Sequence, residues 1–259
     1  MFQSLSSKKP LFKTFFPLLA VIALQHLISL AVNLADNFML GVYSEAAMSG
    51  AALANQIHFV LQQLITGIGA GVAVLGAQYW GKGDIAPIRN IISVGFKFAL
   101  GAGVLFCAVT AAMPEQVIGL LTDETDIIAE GARYLRIICW TYIIYSVSAI
   151  LMYSLQSVQT AFVGTLMSLS ALCINICLNY CLIFGNFGAP ELGVAGAAVA
   201  TLISRVVELV IILVYILFVD KKLHLKLRHF LMFNRIYLRD YVRVSTPIDR
   251  KSTRLNSSH

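Results

Sequence analysis

The sequence predicts an all-α integral membrane protein built as a six-helix transmembrane bundle. Three observations predict it. Of 259 residues, 58% are hydrophobic and only 12% are charged, against roughly 25% charged in a soluble domain. Six apolar runs divide the chain at roughly 15–40, 53–79, 91–112, 132–155, 163–185 and 194–219. Charge in the connections between these runs alternates in sign along the chain.

The first run follows a basic start (Lys8, Lys9, Lys13) and continues past about Leu40 without a cleavage pattern, too long for a signal peptide, so it reads as a span. Each later run has about the 20 residues a helix needs to cross a bilayer. Helices are required because a spanning segment must satisfy its own backbone hydrogen bonds, and the alternation of barrel strands is absent. Glycine and alanine recur where helices can meet: Gly67 and Gly71 form a small-xxx-small pair, and Gly193, Ala195, Gly196, Ala197, Ala198 and Ala200 open the sixth run.

The connections 41–52, 113–131 and 186–193 carry Glu45, Glu115, Asp123, Glu124, Asp126, Glu130 and Glu191 and no lysine or arginine. The connection 80–90 holds Lys82 and Arg89. The N-terminus and the stretch after 219 (Lys221, Lys222, Lys226, Arg228, Arg235, Arg239, Arg243) are basic and fall on that same side. The positive-inside rule then predicts a multi-pass protein of the plasma (cytoplasmic) membrane with a cytoplasmic N-terminus. The lipid bilayer is the expected partner. The net charge of +6 is read this way and not as a nucleic-acid surface, since no basic face stands on a soluble fold.

An enzyme is not expected. No nucleophile motif appears, and Gly81-Lys82-Gly83-Asp84 lacks the spacing of a phosphate-binding loop. Cys173, Cys177 and Cys181 fall on one helical stripe but have no histidine or acid at ligand spacing, so packing is preferred to a metal site. No cofactor is expected.

The polar residues within the runs carry the functional signal. An acid such as Asp36 costs roughly 2.5–3.5 kcal/mol at the centre of a span, and intramembrane acids are functional by default. Asn33 shares its helix face and Asn37 adjoins it. Asn175 and Asn179 stand at i and i+4 in the fifth run. Two polar faces on apolar helices predict one shared site for a proton or cation, with structural glue between helices as the alternative. Arg205 and Glu208, at i and i+3, can form an ion pair; Glu208 could also carry a second proton. His26 and His58 read as packing residues, while Gln25, Gln56, Gln62 and Gln63 could line a polar cavity.

The stretches Ala31-Val-Asn-Leu-Ala-Asp36-Asn-Phe-Met-Leu-Gly41, Ala77-Gln-Tyr-Trp-Gly-Lys-Gly-Asp84, Asn175-Ile-Cys-Leu-Asn179-Tyr-Cys-Leu-Ile-Phe-Gly185 and Leu192-Gly-Val-Ala-Gly-Ala-Ala-Val-Ala-Thr201 resemble the multidrug and toxic compound extrusion (MATE) family. The last two are the most specific, and the resemblance runs from about residue 12 to 248. It implies a secondary active antiporter that exports small organic cations and drugs in exchange for protons or sodium ions. It also implies twelve helices in two lobes, of which residues 1–219 are the N-terminal lobe, with a C-terminal lobe missing from this chain. Asp36, Asn175, Asn179 and Thr201 would form the coupling site, where a sodium ion could also sit. Many members have Asp where this chain has Asn179, and Leu155-Gln-Ser-Val-Gln-Thr160 lacks the arginine and Gly-Asp pattern common in relatives. A lipid-linked precursor flippase of related build and a non-transport membrane module are the alternatives.

Residues 220–248 are expected to form a cytoplasmic amphipathic linker and, from Val244-Ser-Thr-Pro-Ile248, the start of a seventh helix. Residues 249–259 are polar, basic and equivalent to one translation frame of a sequencing-adapter read. They are expected to be an artefactual, disordered tail on a truncated fragment whose native chain continues. Alternating access requires two lobes, so the 259-residue chain alone is expected to transport poorly.

Overall fold

The computed structural model describes residues 9–160, 162–230 and Tyr241. Among these, α1 (Lys9–Tyr43), α2 (Glu45–Gly81), α3 (Ile85–Ala112), α7 (Phe162–Phe184) and α8 (Val194–Val214) are long helices, and α8 continues as a π-helical segment Tyr215–Val219. Five helices are long and apolar enough to cross a membrane, and a bent pair makes a sixth. The protein is therefore a multi-pass, all-helical bundle.

The connections show how local chemistry fixes the turns. Only Ser44 separates α1 from α2, so α2 begins well before the apolar run at 53. The Ser44 hydroxyl accepts a hydrogen bond from Ala47 N at 3.4 Å, and Glu45 lies in the first turn, where the helix dipole favours an acid. Asp84 caps α3 in the same way through Ala86 N. Beyond α3, Pro114 opens the short helix α4 (Pro114–Gly119).

The fourth predicted run, 132–155, is not one straight helix. It is α5 (Thr125–Ile138) and α6 (Trp140–Ser157), bent by 49° at Cys139. The Thr141 hydroxyl donates to the Ile138 carbonyl at 2.6 Å, and the Cys139 thiol donates to the Arg136 carbonyl at 3.3 Å. Side chains thus occupy carbonyls at the break, which is how a helix can bend without leaving polar backbone bare.

Small residues set the crossings, and of the pair the sequence favoured only Gly71 is buried. Gly67 faces open space. Close approach occurs at Gly69, where a Cβ would enter the Tyr153 ring, and where Gly50 meets the backbone of Gly131. Gly196 of α8 lies against the Leu182 carbonyl of α7, and α7 and α8 form the most extensive helix pair. The core divides into two clusters along the bundle. One holds Leu40, Ala54, Leu61, Leu135 and Tyr142, and the other Val72, Ile88, Leu155, Ile212 and Leu223.

After α8 the basic stretch folds onto the bundle. Asp220 accepts hydrogen bonds from the backbone of Lys222, Leu223 and His224. Lys222 Nζ donates to Val158 O and Thr160 Oγ1, each at 2.8 Å, and Arg89 Nε donates to Leu223 O at 2.9 Å. Leu223 and Leu225 are buried in the second cluster. Over 220–226 the segment is therefore a strap packed on the bundle end that carries Arg89, its leucines turned into protein. A short helix, α9 (Leu227–Phe230), follows. The expected start of a seventh helix and the tail 249–259 lie outside the described residues.

Candidate functional site

Asp36 sits on α1 two turns before its end and is 5% exposed; Asn175 and Asn179, one turn apart on α7, are fully buried. The α7–α8 hairpin brings Thr201 of α8 to the same point. These four residues close a hydrogen-bonded ring. Asn179 Nδ2 donates to Asp36 Oδ1 and, at 3.2 Å, to Asn175 Oδ1. Asn175 Nδ2 donates to Thr201 Oγ1 at 3.2 Å, and the Thr201 hydroxyl donates to Asp36 Oδ2 at 3.5 Å.

One acceptor in this ring is left over. Asn179 Oδ1 is buried without a hydrogen-bond partner among the described residues. Leaving such an atom bare costs about 1–3 kcal/mol. A carboxylate, two amide oxygens and a hydroxyl are hard oxygen donors of the kind that hold a small cation. The same set can hold a proton: a protonated Asp36 would donate to an amide oxygen. Among the described residues no group of three His, Cys, Asp or Glu could hold a metal ion, and Cys173 and Cys177 are exposed on the outer face of α7.

The other expected site residues fall elsewhere. Asn33 is exposed and lines a neighbouring cavity instead of joining the ring. Asn37 does not join the ring, its Oδ1 buried without a partner among the described residues. One residue of offset rotates a helical side chain by about 100°, which turns Asn37 away from Asp36, and Asn33 lies nearly a full turn, about 4.5 Å along the axis, before it. Arg205 and Glu208 do pair, Nη1 to Oε2 at 2.7 Å, with 23% and 11% of their side chains exposed.

That pair borders two spaces. A pocket of about 10 Å³, room for one water, is lined by Asn175, Thr201, Ser29, Ser168, Arg205 and Glu208. A cavity of about 180 Å³ opens beyond it between α1, α2, α6, α7 and α8. His58, Gln62, Tyr145, Ser148 and Gln25 contribute to its walls, as do Met152 and Met167. Gln25 and Gln62 therefore line a cavity as expected, whereas Gln56 and Gln63 do not. His58 is both a packing residue, stacked on Tyr142 with centroids 5.6 Å apart, and a cavity residue. Sequence reasoning passed over Tyr145 and Ser148. The available signal was the i, i+4 pair His58 and Gln62, polar at helical spacing on an apolar helix.

Comparison with known proteins agrees with this architecture. The MatE family model matches residues 22–181. The probable multidrug resistance protein NorM of Thermotoga maritima is 31% identical over 203 residues, covering 78% of this chain and 43% of its own length. The uncharacterized transporter YisQ of Bacillus subtilis is 29% identical over 260 residues, 95% of this chain and 54% of its own. Among solved structures, a MATE protein in a bent conformation superposes with a TM-score of 0.80 at 22% identity, over 90% of this chain and 51% of that one. A MOP superfamily transporter from Pyrococcus furiosus superposes with a TM-score of 0.79, also at 22% identity and over the same shares. The chain spans about half the length of the relatives it matches. With the family model covering well over half of its residues, its fold matching theirs and its relatives named as transporters, the chain belongs to the MATE family.

Proposed function

We propose that this chain is the N-terminal lobe of a secondary active multidrug exporter. It expels small organic compounds bearing a cationic centre, in exchange for protons or sodium ions entering through the Asp36 ring. The single observation that carries this reading is the buried Asp36 carboxylate, closed in a ring with Asn175, Asn179 and Thr201 beside an unpartnered amide oxygen. A buried carboxylate in a span is costly unless an ion or proton visits it. The names of its NorM relatives support multidrug export as the activity.

In this reading Asp36 binds the coupling ion, the two asparagines and Thr201 complete its oxygen shell, and the one-water pocket connects that shell to the larger cavity where the exported compound binds. The partner is a second six-helix lobe, against which the first rocks in alternating access. The membrane is the cytoplasmic one, with the N-terminus, the Lys82–Arg89 turn and the basic strap on its inner face.

The test uses inverted membrane vesicles from cells expressing the gene at its chromosomal locus. Dye uptake driven by an imposed proton or sodium gradient is compared between the native protein and Asp36→Asn. The expected result is gradient-driven uptake that Asp36→Asn abolishes at unchanged protein level. Uptake that survives the substitution removes Asp36 from the coupling role.

A further inference from the structure

The bundle end that carries Arg89 has a basic face whose depth in the membrane is fixed by its neighbours. Over 220–226 the strap alternates. Leu223 and Leu225 are buried, while Lys221, His224 and Lys226 are exposed. The acid of the strap faces inward: Asp220 is 9% exposed, and its carboxylate accepts from the backbone of Lys222, Leu223 and His224. A period near two thus turns the leucines into protein and leaves basic side chains outside.

Two more cations border this face. Arg89 Nε donates to Leu223 O at 2.9 Å, which holds its guanidinium against the strap. Lys82 Nζ lies over the Tyr79 ring at 5.5 Å, and Lys222 Nζ lies over the Trp80 ring at 5.9 Å. The last turn of α2 therefore abuts the strap. A Cβ added at Gly81 or Gly83 would meet nothing within 4 Å, so the turn stands clear of the protein. Asp84 is the exposed acid of this turn, and its Oδ1 is engaged by Ala86 N at 3.3 Å. Lys82, Arg89, Lys221 and Lys226 outweigh it.

The end of α8 sets the depth. Phe218 and Val219 are 82% and 54% exposed, and large apolar side chains so bare belong in hydrocarbon. Lys221 follows Phe218 by three residues, at most about 11 Å of extended chain. The headgroup layer beyond the hydrocarbon is about 5–8 Å deep on each side. The basic face lies at that level, beside Tyr79 and Trp80, residue types that settle at the membrane interface.

We propose that Lys82, Arg89, Lys221 and Lys226, gathered around Trp80, form a docking surface for the headgroups of acidic phospholipids. The lipid's negative charge is drawn by the four cations, and its acyl chains lie along the bare end of α8. A free phosphate ion has the first attraction without the second. A seated lipid also offsets the mutual repulsion of the four charges and so holds the strap in place. This surface belongs to the lobe whether or not the lobe exports.

The test measures quenching of tryptophan fluorescence by brominated lipids in vesicles of the purified 259-residue chain. Trp80 and Trp140 are its two tryptophans. Trp140→Phe leaves a reporter inside the patch. Trp80→Phe leaves one at the far end of α6, about 27 Å from Val158 along the helix. Brominated phosphatidylglycerol is compared with brominated phosphatidylcholine, each diluted into plain phosphatidylcholine. At Trp80 the acidic lipid is expected to be enriched about fivefold or more, the effect of one basic side chain at a charged surface. At Trp140 no enrichment is expected. Lys82→Gln/Lys221→Gln/Lys226→Gln is expected to remove most of it, and the corresponding triple arginine variant to keep it. Salt at about 1 M, where the Debye length is about 3 Å, is expected to reduce it on native side chains. Equal quenching by the two lipids at Trp80, equal enrichment at Trp140, or enrichment unmoved by salt overturns the proposal, as does enrichment retained in the glutamine variant. Loss of enrichment in millimolar inorganic phosphate at fixed ionic strength also overturns it, because the face would then be a site for the free anion. Should the glutamine variant fail to fold, the salt and Trp140 comparisons decide.

Discussion

At the scale of single residues, the Asp36 ring makes a prediction that does not depend on transport. Asn179 Nδ2 donates to both Asp36 and Asn175, so Asn179→Ala removes two contacts at once. A hydrogen bond to a charged partner contributes roughly 1.5–3 kcal/mol. Purified Asn179→Ala is expected to unfold at a lower temperature than native protein in the same detergent. Thr201→Val also gives up two contacts, but it is expected to lower it less, because the Thr201–Asp36 bond is long at 3.5 Å and Asn179 still holds the carboxylate. The reverse order would mean that Thr201, and not Asn179, holds the carboxylate. By contrast, the pairs Arg136–Glu115 and Arg133–Glu130 have one or both side chains well exposed, and their removal is expected to change little.

At the scale of helices, two glycines of similar appearance should behave in opposite ways. Gly196→Leu drives a side chain into the Leu182 carbonyl at the α7–α8 crossing. The expected outcome is protein that fails to accumulate or elutes aggregated, since overpacking costs at least about 1–3 kcal/mol. Gly67→Ala has open space around it, and an alanine there gains roughly 0.5–1 kcal/mol of helix propensity. A melting temperature equal to or above native is expected, and a fall would reveal a packing partner at Gly67. The strap offers a third case: Lys222→Ala releases Val158 O and Thr160 Oγ1 and is expected to expose the end of α6 to proteolysis. Unchanged cleavage would mean that the buried Leu223 and Leu225 hold the strap without it.

At the scale of the whole molecule, the proposed sidedness can be read by labelling. In a cysteine-free background, Gly83→Cys is expected to react with a membrane-impermeant thiol reagent only from the cytoplasmic side, and Asp123→Cys only from the opposite one. Labelling of both from one side would mean that α3, the one span between them, does not cross the membrane. The outer face of α1 belongs to the same scale. Leu27, Leu30, Leu34 and Phe38 form an exposed apolar stripe along it, Phe38 being 74% exposed. Lipid or a second lobe suits such a stripe, while water does not.

Much of the fold was written in the sequence because the bilayer makes simple demands. A span must be apolar for about 20 residues and must be helical, so run length and composition alone determined the bundle and its approximate boundaries. Asp36 was legible for the same reason: an acid in a span has no cheap explanation. The tertiary structure decided what periodicity cannot encode. A helical wheel says which residues share a face, not which neighbour that face meets. Only the α7–α8 hairpin, turning at Gly185 and Gly193, brings Thr201 to Asn175, and only the packing of α1 leaves Asn33 at the cavity and Asn37 Oδ1 without a partner among the described residues. The 49° bend at Cys139 was hidden because it needs no proline, only Thr141 and Cys139 occupying backbone carbonyls. The meeting of His58, Tyr145 and Arg205 from three helices was equally invisible. Contacts between residues far apart in the chain are fixed by how side chains interlock, and that depends on all the helices at once.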